Sequence, residues 1–155
     1  MKEYLIKTFQ YNDFANKKQI EKIGQLSDPG ECVKLMSHLI NSMYKWLARV
    51  NHVPGAKDMS WWDPQYNYEE LESKWSDSVT KWIAFIETKS DAELHEYVRF
   101  IGFDGGEWEA RYEDIALQLN YHSIHHRAQM QKIIRSQGLE PDFLDYIGTV
   151  YRKIS

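Results

Sequence analysis

Apolar positions recur at helical spacing along most of the chain, in four long stretches separated by turn signals. From Lys2 to Gln25, Leu5, Ile6, Phe9, Phe14, Ile20 and Ile23 mark a first helix, closed by the turn cluster Ser27-Asp28-Pro29-Gly30. Asp28 as N-cap, Pro29 at the first helical position and Glu31 at the third open a second helix, which CVKLMSHLINSMYKWLARV carries to Val50. Between His52 and Tyr68, Pro54-Gly55, Asp58, Asp63-Pro64 and Asn67 predict an irregular excursion bearing Trp61 and Trp62. Leu71, Trp75, Val79, Trp82, Ile83 and Ile86 then predict a third helix over Tyr68 to Glu87. Strand formers at Tyr97 to Ile101 and the tight-turn signal Asp104-Gly105-Gly106 predict a short hairpin within Tyr97 to Ala110. A fourth long helix is expected from Arg111 to Ser136, with Gly138 as a left-handed cap. Glu140-Pro141-Asp142 is expected to start a short terminal helix through Tyr151, capped by Asp142 and Asp145.

Four helices of this length imply an all-α fold, a four-helix bundle with a short β-hairpin before the last long helix, and residues 1–155 as a single domain. The bundle is either up-and-down or carries a crossover along the excursion. At 43% apolar the chain sustains one core without a staple. Aromatic residues, including six tryptophans, are expected in the core, in pocket walls and at a subunit interface.

Charge and targeting signals narrow the partners. The net charge is −4 and the basic residues are scattered among acidic ones, which argues against nucleic acid. No run approaches the ~18 apolar residues of a membrane span. The opening MKEYLIKTFQYNDF lacks the basic start and apolar block of a secretion signal, and the lone Cys32 fits a reducing compartment, so the expected location is cytoplasmic.

The candidate chemistry lies in three histidines. His122 and His126 are spaced i, i+4, about 40° apart on a helix wheel, and share a face with Ile115, Leu119, Met130 and Ile133. Both therefore face the core. His38 stands in the second helix about 60° beyond the edge of its apolar arc, at the border of the bundle. Three imidazoles from two facing helices make a three-nitrogen site for a divalent cation such as zinc or nickel, and such a site leaves positions open for water or a substrate heteroatom. Chance HxxxH pairs are common in helices, and imidazoles also serve as hydrogen-bonded core residues; the density of the HxxHH cluster and the partner in the facing helix favour a metal.

Other residues on the same wheel qualify as support. Gln118 and Gln129 fall within about 40° of His122 and are candidates to orient a ligand imidazole, against a plain packing role. His125 lies about 60° to one side and is a candidate proton-transfer group at the mouth, against a hydrogen bond to a backbone carbonyl. Arg127 is expected to point away and pair with an acidic neighbour. Trp61 and Trp62 are expected to cover the bundle end or a dimer surface rather than line a pocket. No catalytic base is identifiable.

The stretch LNYHSIHHRAQMQKIIRSQGLEPDFLDYI resembles the C-terminal signature of the DinB-like metalloprotein family, NHxxHHRGQ followed by a Gly-Pro-Asp segment. The MSHLINSMYKWLARV segment resembles that family's first-ligand helix, and YNDFAN and the aspartate-glycine hairpin also fit, so the likeness spans nearly the whole chain. It implies a four-helix bundle binding zinc or nickel through His38, His122 and His126, commonly as a homodimer. Members with assigned activities include bacillithiol S-transferases and mycothiol-dependent maleylpyruvate isomerase, in which the metal holds a low-molecular-weight thiol. The sequence departs from the pattern at Ala128, where Gly is usual, and at Gln118, where many members carry another histidine. Thiol transfer to a small electrophilic substrate is the leading expectation. Hydrolysis on the same metal, and a stress-response bundle that binds metal or a partner without turnover, are the alternatives.

Overall fold

The computed structural model describes residues 1–155. Its elements are α1 (Lys2–Ile23), α2 (Gly30–Val50), α3 (Tyr68–Glu87), α4 (Asp91–Leu94), β1 (Tyr97–Ile101), β2 (Glu107–Arg111) and α5 (Tyr112–Ser136), with 3-10 turns at Ala56–Asp58 and Tyr146–Thr149. The four long helices and the hairpin follow the hydrophobic pattern. The α2 start differs by one residue: Pro29 is the N-cap with already helical angles (φ −82°, ψ −7°), and Asp28 Oδ1 accepts the Gly30 N–H at 3.2 Å. At α3 a capping box joins Asn67 and Glu70, and a second, at Ser90 and Glu93, starts the four-residue α4. That S-x-x-E signature was readable, but no apolar periodicity follows it.

The expected terminal helix does not form; only the 3-10 turn at Tyr146–Thr149 does. Helix would require the backbone carbonyls that side chains of the bundle take instead. Tyr11 OH donates to Leu144 O at 2.7 Å and Gln131 Nε2 to Asp142 O at 3.3 Å, and buried Leu144 pins the segment. Asp142 lies 3.7 Å from Lys22 rather than capping a helix.

The bundle order follows from the contacts. α1 and α2 each pack against both α3 and α5, so α1 sits diagonally across from α2. Tyr68 OH reaches Ile20 O and Lys2 Nζ reaches Glu87 O, so α1 and α3 are antiparallel. Ser37 near the start of α2 meets Tyr66, and Met43 further along meets Trp82, so α2 and α3 are parallel. α5 runs against α2, with Gln137 at its end bonded to Asp28 before α2 begins. The order is up, down, down, up, and the segment 51–67 is a crossover that returns along α2. No helix is long and apolar enough to cross a membrane.

The core is aromatic at its centre. Trp75 and Trp82 are fully buried among Leu5, Ile40, Met43 and Ile86, and Trp82 stacks on Phe9 with centroids 5.7 Å apart. The Trp82 Nε1–H donates to Met43 O at 2.9 Å, which satisfies its one polar atom. Between α1 and α5 a polar layer replaces apolar contact. Arg127, expected to pair with an acid, is buried there and donates to Asn12 Oδ1, Asn16 Oδ1 and Ser123 Oγ at 2.6, 2.9 and 3.3 Å. Its wheel position turns it toward α1, whose facing residues are amides, so neutral oxygens rather than a carboxylate receive it. Trp82→Ala removes the central ring and its hydrogen bond to Met43 O; urea unfolding is expected to show a loss of about 3–5 kcal/mol.

Candidate metal centre

α2 and α5 bring His38, His122 and His126 together. His122 Nε2 lies 3.1 Å from His38 Nε2 and 2.9 Å from His126 Nε2, and all three ligand atoms fall within 4.8 Å of one another. His38 and His126 are buried and His122 is half-buried. His38, placed at the border by its wheel position, is buried because the crossover covers it. Trp62 lies flat on its ring, with centroids 3.9 Å apart and planes at 14°.

Each flanking imidazole is fixed through its other nitrogen. His38 Nδ1–H donates to Trp61 O at 2.8 Å and His126 Nδ1–H to Gln129 Oε1 at 2.7 Å. In these neutral tautomers both Nε2 atoms present lone pairs to His122 Nε2, which carries one proton at most. At least one of the two Nε2 contacts therefore sets lone pair against lone pair, an arrangement that a cation relieves. Two ligand atoms about 2.05 Å from a shared ion stand roughly 2.9 Å apart at a right angle and roughly 3.3 Å apart at the tetrahedral angle, so the 3.1 and 2.9 Å separations from His122 are those of ligands to one divalent cation.

Burial is the first cause that keeps these groups uncharged. It holds His122 down to about 4 from 6.5, assisted by the neighbouring His126, His38 and His125. Burial also lowers His38 and His126, against the opposing hydrogen bonds to Trp61 O and Gln129. Neutral imidazole is the ligand form, so the site is ready for metal at neutral pH.

A cavity of about 500 Å³ opens beside His126, lined by Leu35, Trp62 and Ile133 with Glu31, Gln129 and Lys132 at its polar wall. The expectation that Trp61 and Trp62 cover a bundle end is thus corrected: Trp62 walls the cavity, and Trp61 supplies its carbonyl to His38. The reason is the crossover, which lays residues distant from the bundle end against the middle of α2. Among the supporting residues, Gln129 does touch a cluster imidazole. His125 is exposed, edge-on to His126 at 5.0 Å, with its Nε2 3.3 Å from Gln129 Nε2. Gln118 is exposed and has no hydrogen bond to the three imidazoles.

A helical bundle with three convergent neutral imidazoles at the edge of a cavity defines a candidate metal-binding four-helix protein. Residues 32–130 match the profile of the DinB superfamily, and the chain belongs to that superfamily. The matched segment contains all three histidines. No curated protein matches the chain.

The depressed imidazoles also set a pH dependence. Between about 6.5 and about 4 the unfolded chain binds protons at His122 that the folded chain refuses, so metal-free protein loses stability as pH falls through that window. Urea midpoints from pH 7.5 to 4.5 are expected to drop, and His122→Gln is expected to flatten the drop.

Proposed function

We propose that the chain is a divalent-metal-dependent enzyme of thiol S-transferase type, with His38, His122 and His126 as the ligands of zinc or nickel. The observation that carries the reading is the convergence of three neutral imidazole nitrogens from two facing helices beside a cavity. A divalent cation held there supplies Lewis acidity that lowers the pKa of a thiol or a water in its open positions. The Trp61 carbonyl and Gln129 Oε1 hold His38 and His126 in the tautomer that offers Nε2. Trp62 and Ile133 give the cavity an apolar wall, while Lys132 and Glu31 give its rim charges of both signs, suited to a small polar thiol and an electrophilic substrate.

The same reading includes a single domain over residues 1–155, a cytoplasmic location and a homodimer. Exposed Tyr4, Tyr121, Ile124, Tyr146 and Ile147 support the last, because large apolar side chains on this scale suit a subunit interface.

Metal analysis of untagged protein after anaerobic zinc or nickel addition is expected to give about one ion per chain, with His126→Ala falling below about 0.1. Metal-loaded protein is expected to consume a low-molecular-weight thiol with monobromobimane, and His126→Ala to lose that activity. Absence of metal from the unmodified chain overturns the reading, and cleavage of an activated ester without thiol consumption moves the reaction to hydrolysis. Gln129→Ala keeps all three imidazoles but frees His126, so its metal affinity is expected to fall about 10–100-fold in a competition titration against a chromogenic chelator.

A further inference from the structure

At the opposite end of α2, three helical turns or about 16 Å beyond His38, a second cluster of polar side chains surrounds a cavity of about 280 Å³. Arg49 and His52 line it from the end of α2, Lys57 from the 3-10 turn of the crossover and Arg99 from β1. No acidic residue is among its lining. His52 holds a left-handed backbone conformation at φ 53°, uncommon outside glycine, at the cavity rim.

Arg49 is the informative member. It is only 6% exposed and its guanidinium lies among three rings, 4.7 Å from Trp46, 5.1 Å from Trp61 and 5.0 Å from Phe100. One Nη2–H donates to Ile101 O at 2.9 Å, its Nε is buried without a hydrogen-bond partner, and no carboxylate pairs with it. A buried guanidinium without an anionic partner is costly, and Arg49 lines a cavity that an anion can enter. Buried Lys45 deepens the positive potential, since its Nζ donates to the Lys57 and Met59 carbonyls and no carboxylate reaches it. The nearest acids do not fill the cavity: Glu109 pairs with Arg99 at 3.4 Å on the exposed face of the hairpin, and Asp58 is exposed on the crossover.

We propose that this cavity binds a phosphate-type oxyanion, either free phosphate or a phosphomonoester, held by Arg49, Lys57, Arg99 and His52. Tying the crossover and hairpin to α2 explains Lys45 and one donor of Arg49. It leaves the positive charge of buried Arg49, and of the Lys57 ammonium that lines the same cavity, without a carboxylate partner. A tetrahedral oxyanion presents acceptors in several directions at once, which suits a cavity lined by basic side chains from a helix end, a turn and a strand, whereas a carboxylate presents two oxygens in one plane.

The test uses full-length, metal-free protein at constant ionic strength set with chloride, titrated calorimetrically with inorganic phosphate and, in a second arm, with glycerol 3-phosphate. Saturable binding at one site per chain is expected in the unmodified protein and in His126→Ala. Lys57 and Arg99 are exposed, so K57A/R99A is expected to keep its far-UV circular dichroism and bind at least about tenfold more weakly. Binding of phosphate alone assigns the site to the free ion; binding of both arms assigns it to phosphomonoesters. No saturable binding, or equal affinity in K57A/R99A, overturns the proposal. So does loss of binding in His126→Ala with retention in K57A/R99A, because the anion then belongs to the imidazole cluster.

Discussion

Because α3 runs parallel to α2, the chain between them has to travel back along α2, and every polar backbone group it lays against that helix needs a partner. The partners come from α2 itself. Lys45 takes the Lys57 and Met59 carbonyls, Asn41 takes Pro64 O at 3.0 Å, His38 takes Trp61 O, and Ser37 Oγ accepts the Tyr66 N–H at 3.0 Å. The crossover is therefore a strap fastened at successive turns of one helix. Two features of the candidate metal centre follow from that fastening: the tautomer of His38 and the Trp62 ring that lies flat on it.

The same constraint explains an unusual distribution of charge. Lys45, Arg49 and Arg127 are all buried, and none meets a carboxylate. Their donors go to main-chain carbonyls, amide oxygens and hydroxyls, or, for the Arg49 Nε, to nothing. Cations serve here because long flexible side chains reach carbonyls that a neighbouring helix cannot satisfy. The imidazoles are the complementary case: burial keeps them neutral, which suits them to a cation and not to an ion pair. One face of α2 thus carries a neutral imidazole, His38, toward its middle and fixed positive charge, Lys45 and Arg49, toward its end.

Trp61 physically joins the two regions. Its carbonyl receives the His38 Nδ1–H, while its ring lies under the Lys45 ammonium at 4.5 Å and the Arg49 guanidinium at 5.1 Å. The residue that sets the direction of one imidazole is therefore clamped by Lys45 and by Arg49, which lines the other cavity, within a crossover that has no regular structure beyond a single 3-10 turn.

Periodic segments were legible in the sequence because local physics suffices for them. The spacing of Leu71, Trp75, Val79 and Trp82 makes a helix whatever its neighbours, Asp104-Gly105-Gly106 turns a hairpin, and His122 and His126 share a face by helix geometry alone. The pairing of that face with His38 was readable as a requirement of three-nitrogen chemistry. What depended on elements far apart in the chain was not readable. Arg127, expected beside an acid, meets α1 amides, the C-terminal segment gives its carbonyls to Tyr11 and Gln131 instead of to a helix, and Trp62, expected over a bundle end, stacks on His38 in α2. Sequence alone determined which residues lie on which helical face, since that depends on a fixed rotation per residue. Only the tertiary structure decided what each face meets, because the route of the crossover and the order of helices around the core are set by burial and by satisfaction of backbone groups over the whole chain.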